Sequence, residues 1–246
     1  MSSPAAPRSR RERPAKPALS RDAIVAAALE IARNEGIEAL SMRRVAQALD
    51  TGPASLYVYV ADRDELHELL FDAAAGTVET EPVDPERWRE QLKALGHRMV
   101  KMMAEDFPGI ALLAMARIPT GDNVMRIAEN MLALLKAGGA SDQAAAYAAD
   151  LISMYTTAIA YEASLYRSLY SDPDHEQREV EKLAERFASL DPERYPTMAA
   201  LGLAMTRGDG AERFELGLDV LINGLLATPT EGRLTAGPGA PGPAAS

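Results

Sequence analysis

The side chains best suited to chemistry in this sequence are hydrogen-bond donors and small surfaces rather than nucleophiles, and they gather between residues 41 and 63. Gly52, Ala54 and Ser55 are small enough to let the start of a helix approach base edges, and Pro53 and Ala54 offer apolar contacts for thymine methyls. Tyr57 and Tyr59 carry hydroxyls that would donate to phosphates. Ser41, Arg43 and Arg63 would grip the sugar-phosphate backbone on either side, aided by the helix N-termini at which they fall. Covalent chemistry is poorly served. There is no cysteine to act as nucleophile, thiolate ligand or disulfide partner. His67, His97 and His175 are widely separated without a ligand pattern of carboxylates, and no nucleophile and base occur in an enzyme motif. No catalytic residue, metal site or cofactor is therefore expected.

Such a surface needs two short helices joined by a tight turn and braced by longer ones, and the chain supplies their start and stop signals. Ser20 caps a first helix carrying Ile24, Ala27, Ala28 and Ile31 at helical spacing, which Gly36 ends. Ser41 caps a second, bearing Met42, Val45, Ala46 and Leu49. In the turn Asp50-Thr51-Gly52-Pro53, Asp50 tolerates a left-handed backbone and Thr51 is expected to cap a third helix from about Gly52 to Tyr59. Asp62 and Glu65 form a capping pattern before a fourth helix with Leu66, Leu69, Leu70 and Phe71 on one stripe. This is the helix-turn-helix geometry that presents a recognition helix to the major groove.

Beyond Gly76 the apolar period stays helical and no stretch reads as a strand, so the fold class is all-α. Asp84 as cap and Pro85 in the first turn open a long helix that ends at Phe107-Pro108-Gly109. Further helices are expected over 110–117, 123–137, from Ser141 to about Tyr170, 174–189, 196–205 and 211–227. The expected division is a disordered basic arm (1–18), a DNA-binding domain (19–76), a ligand-binding and dimerising domain (84–227) and a disordered Gly/Pro/Ala tail (228–246). A net charge of −10 is at first sight wrong for a nucleic-acid partner. The acidity is uneven, however. Residues 1–75 hold ten Lys and Arg against eleven Asp and Glu, and the first 18 hold Arg8, Arg10, Arg11, Arg13 and Lys16 against Glu12 alone. The absence of a secretory h-region or an 18-residue apolar run predicts a cytoplasmic protein without a membrane partner.

Ile24-x-x-Ala27-Ala28, Gly36, Ser41-Met42-Arg43-Arg44-Val45-Ala46, Leu49, Ser55-Leu56-Tyr57-Val58-Tyr59-Val60 and Asp64-Glu65-Leu66 together resemble the TetR family of regulators, in one register over about residues 19–72. Arg117-Ile118-Pro119-Thr120 and Phe214-Glu215-Leu216-Gly217-Leu218 resemble, more loosely, the tetracycline-repressor type of C-terminal domain. Asp50-Thr51 stand where the family commonly has Gly-Val, and Val58-Tyr59 where an aromatic followed by His is frequent. The resemblance implies a homodimer bound to palindromic double-stranded operator DNA and released by a small-molecule effector. It further implies that two late helices, here within 143–166 and 211–227, pair with their copies. The family's tetracycline repressors hold their drug through magnesium and a His ligand, which the stretch Gly109 to Met115 lacks.

Met102, Met103, Met115, Met131, Met154, Tyr155, Tyr161 and Tyr166 would line an adaptable cavity for an apolar effector, and Glu162 falls where the resemblance to tetracycline repressors implies a water-binding carboxylate. Methionines and tyrosines at helical spacing equally fill cores. An α-helical small-molecule-binding protein or enzyme with a vestigial helix-turn-helix, and an interaction scaffold, are the alternative readings. The effector, the operator sequence and the sign of regulation stay open at this level.

Overall fold

Ser20, Ser41 and Asp62 each begin a helix by the same device. In the computed structural model, which describes residues 18–116, 118–169 and 175–227, Ser20 Oγ accepts from the Ala23 N–H at 3.1 Å. Ser41 Oγ accepts from Arg44 N–H at 3.1 Å, and Asp62 Oδ1 from Glu65 N–H at 2.8 Å. Each satisfies an amide that the first helical turn leaves without a partner. Glu65 returns the bond, its Oε2 accepting the Ala61 N–H at 2.6 Å. These caps open α1 (Arg21–Glu35), α2 (Met42–Ala48) and α4 (Arg63–Ala75), with the single-turn α3 (Pro53–Leu56) between the last two. The arm of residues 1–17, the tail from 228 and Arg117 lie outside the described residues.

The N-terminal helices close around Ile24, Ala28 and Ile31 of α1, Val45 and Ala46 of α2, Leu56 of α3, Val60, and Leu66 and Leu70 of α4, all buried. Seven further helices follow: α5 (Trp88–Lys101), α6 (Ala111–Ala116), α7 (Asp122–Ala137), α8 (Asp142–Leu169), α9 (His175–Ala188), α10 (Pro196–Met205) and α11 (Gly210–Ala227). The described residues are therefore all helical, in agreement with the expected class. In the C-terminal part α8 packs on α5, α6, α7 and α11. Its inward face is made of small side chains, Ala144, Ala148, Ala160 and Ser164, so neighbouring backbones come close. Gly96 of α5 sits at the crossing, where a Cβ would already touch Leu218, Phe214 and Thr156 at 3.4 to 3.6 Å.

Three local expectations change. The long helix begins at Trp88 rather than Pro85, because Asp84 Oδ1 bonds the Glu86 N–H in a tight turn (3.0 Å) and buried Gln91 holds the linker by bonding Pro82 O and Asp84 N–H, each at 2.8 Å. At its other end the coil widens into a π segment, Met102–Asp106. Arg167 of α8 donates to the Ala104 carbonyl there at 3.0 Å, a side-chain bond of the kind irregular helix needs, while Ser164 donates at 2.8 Å to Ala160 O and lies 3.4 Å from Met103 O. Thr51 does not cap α3: Gly52 holds the cap position with no side-chain bond.

Candidate nucleic-acid interface

The interface follows from how α3 is anchored. Leu56 and Val60, four residues apart, are fully buried, and Val60 N–H bonds Leu56 O at 3.0 Å. That register forces residues 57–59 outward. Tyr57 is 52% exposed, Val58 80% and Tyr59 39%. On the preceding turn Gly52, Pro53, Ala54 and Ser55 are all exposed, so the small, close-approach surface and the tyrosine hydroxyls share one end of the domain. Helical geometry extends over Pro53–Leu56, with a turn to Tyr59, so the recognition element is shorter than its sequence predicts.

The turn before it depends on Asp50, whose φ of +49° is left-handed, a conformation that Asp adopts more readily than most residues. Thr51 N–H then bonds Ala46 O at 2.9 Å, folding α3 back across α2.

Of the flanking positions, Ser41 is exposed and its oxygen serves the α2 cap, which leaves the hydroxyl able to donate outward. Arg43 is exposed, whereas Arg44 turns inward to Glu35 at the end of α1. That bond holds the Glu35 carboxyl below the usual carboxylate range and the Arg44 guanidinium above its own. Arg63 opens α4 and is exposed, with Nε directed to His67 Nε2 at 3.3 Å. The nine positions read from the sequence therefore cluster around α3. Val58, which the sequence reading did not include, is exposed beside them, as the Leu56/Val60 spacing already implies.

The nine expected effector-pocket residues are spread over different environments. Met102, Met103 and Met131 are buried in the core. Tyr155 is half-buried, stacked on Phe214 at 5.6 Å between ring centres and donating to Arg213 O at 3.0 Å; burial pushes its phenol up. Tyr161 is half-buried and Glu162 pairs with Arg213. Met115 and Met154 are 60% and 62% exposed, and Tyr166 is also exposed, because they fall on the side of α6 and α8 away from the core. A cleft of about 400 Å³ lined by Arg33, Thr77, Glu105, Asp106 and Phe107 contains none of the nine. Among the described residues no three His, Asp or Glu converge in a way that would hold a metal ion.

Comparison with known proteins matches two segments of the chain. Residues 24–70 match the family described as bacterial regulatory proteins, tetR family, and residues 81–228 match the tetracyclin repressor-like C-terminal domain. The chain is 33% identical over 218 residues to the HTH-type transcriptional repressor DrrR1 of Streptomyces coeruleorubidus, covering 85% of this chain and 78% of that one. Among solved structures it resembles the Streptomyces coelicolor TetR family protein ActR in complex with actinorhodin, at 39% identity and a TM-score of 0.78 over 87% of this chain and 98% of that one. ActR in complex with (S)-DNPA gives 40% identity and a TM-score of 0.74 over 85% and 98%.

Proposed function

The chain belongs to the TetR family of DNA-binding transcriptional regulators, and from that premise we propose that it represses transcription as a homodimer on a palindromic operator and leaves it when an apolar small molecule enters the C-terminal domain. The observation carrying the DNA reading is the outward set at α3: small residues 52–55 and the hydroxyls of Tyr57 and Tyr59, fixed by buried Leu56 and Val60. Arg43, Ser41 and Arg63 flank that surface as phosphate grips.

Dimerisation is supported by a second apolar face. On α8, Tyr147, Leu151, Met154 and Leu165 are exposed on the side opposite buried Ala148, Ile152 and Ala160. On α11, Leu216 and Val220 are exposed, and nothing lies within 4 Å of a Cβ built on Gly224. Gly217, by contrast, serves its own chain, because a Cβ there would overlap the Tyr155 ring. Two such faces would pair about a twofold axis, and an isologous pairing gives the two half-sites about 34 to 36 Å apart that a palindrome presents.

The effector reading rests on the likeness to ActR, solved with actinorhodin; the methionines and tyrosines read from the sequence divide between the core and the exposed sides of α6 and α8 and do not themselves outline a pocket. No helix of the described residues is long and apolar enough to cross a membrane, and the operator-binding reading is one of a cytoplasmic protein.

The test is to select bound sequences from random DNA with the full chain and measure affinity by fluorescence anisotropy. Tyr57→Ala combined with Arg43→Ala is expected to weaken binding at least about tenfold, each lost grip on phosphate weakening all sequences alike. Unchanged affinity would sink the assignment. Actinorhodin is the first probe of release, and a screen of apolar compounds follows if it leaves the complex intact.

A further inference from the structure

The boundary between the two halves carries an arrangement that neither half needs for itself. The last turn of α4 abuts the first turn of α7, and each helix caps the other. Asp72 of α4 points its carboxylate into the start of α7: Oδ1 accepts from the Asn123 N–H at 2.9 Å and the Val124 N–H at 3.1 Å, and Oδ2 from Asn123 Nδ2 at 3.0 Å. Those amides are ones that a helix normally satisfies with its own cap residue. Here that residue is Gly121, which has no side chain to offer and could carry none, because a Cβ would overlap the Asp72 carboxyl. In return Arg126, one turn into α7, donates to Ala75 O at 3.3 Å, Val78 O at 2.9 Å and Thr80 Oγ1 at 2.9 Å, closing the carboxyl end of α4 and the chain that leaves it. Both signs suit the helix dipoles: a carboxylate at an N-terminus and a guanidinium at a C-terminus.

α4 is also part of the DNA-binding core, through Leu66 and Leu70. Elsewhere the two halves meet by packing without reciprocal caps: α4 lies on α6, Gly109 lies so close to Ile37 that a Cβ would come within 2.6 Å of it, Ile37 N–H bonds Pro108 O at 3.4 Å, and the Arg33 guanidinium is 5.0 Å from the centre of the Phe107 ring.

We propose that Asp72 and Arg126 are positioning residues whose reciprocal cap fixes the tilt of α4 and so sets the operator half-site spacing that the protein accepts. The inference rests on the dimeric, operator-binding reading above. From Asp72 to the start of α4 at Arg63 is nine residues, roughly 14 Å of helix at 1.5 Å per residue. A tilt of about 10° at the clamp therefore moves each DNA-reading domain by about 2 Å. In a twofold dimer the two shifts add to more than the roughly 3.4 Å rise of one base pair.

The experiment uses full-length protein and the operator it selects from random DNA, beside versions with one base pair inserted or deleted at the dyad. Helix content and melting are followed by circular dichroism. The unaltered chain is expected to lose on the order of 100-fold in affinity on the altered spacings. With Asp72→Ala, Arg126→Ala or Gly121→Ala the loss is expected to shrink below about tenfold, while the slope of affinity against salt, which reports phosphate contacts, stays at the parent value. Asp72→Asn, still able to accept from the amides, is expected to keep most of the discrimination, and it carries the comparison with Gly121→Ala if Asp72→Ala does not fold. Variants that keep the parent's spacing ratio, or weaken every spacing in equal proportion, overturn the proposal. A parent chain indifferent to spacing overturns the dimeric reading itself.

Discussion

Arg43 and Arg44 are neighbours with opposite employments, and the difference is decided by the roughly 100° of rotation between successive helical residues. Arg44 lies on the side of α2 that faces α1, where Glu35 takes it, while Arg43 faces outward beside α3. Arg43→Ala is therefore expected to lower the slope of log affinity against log salt by about 2, one contact from each protomer of the dimer. Arg44→Ala is expected to leave that slope alone and act, weakly, on the melting temperature, because its partner pair is exposed. Titrations of both variants across a salt series check this, and equal slopes for the two would refute it. Pattern alone singled out the exposed positions around α3 that we propose as grips, because caps and outward positions are local properties. It was silent on Asp72, Gly121 and Arg126, since their partners lie about 50 residues away along the chain.

At the scale of elements, α8 shows what periodicity does and does not reveal. Its extent was readable from Ser141 onward, and the observed Asp142–Leu169 follows. Its two apolar faces were not separable, because Met154 and Ile152 look alike until a neighbour is seen to cover one of them. Ile152 is fully buried under its own chain, and Met154 is exposed on the face proposed for the dimer. Leu151→Glu with Met154→Glu is expected to yield a folded monomer that has lost the full operator but keeps weak half-site binding, with sedimentation equilibrium as the readout. A dimer surviving both charges would remove α8 from the interface. The π segment was beyond reach of the pattern, which sees Met99 and Met103 at helical spacing and cannot see the extra residue in the coil.

For the molecule as a whole, the acid side of stability has an identifiable source where α5 meets α11. Glu215 takes bonds from His97 and from Lys93, which hold its carboxyl below the usual range. Burial works against the Lys93 ammonium, yet Asp219 and Glu215 together hold it above its ordinary value. A carboxyl lowered in the folded state stabilises fully above its unfolded value, and that contribution is lost as pH falls towards the folded one. Glu215→Gln is expected to lower the melting temperature most at about pH 8, where the ion pair is complete, and progressively less as pH falls from about 5 to 3, so that the acid limb flattens. An unchanged acid limb would remove Glu215 as its source. The sharing of α4 by both cores also bears on engineering. A chimera that gives this C-terminal domain a new reading head cannot be cut wherever the sequence looks like a linker. If the seam falls after Gly76, the incoming last turn must bring an acid to position 72 and present its carbonyls to Arg126. If it falls before α4, the seam crosses the packing of Leu66 and Leu70 instead.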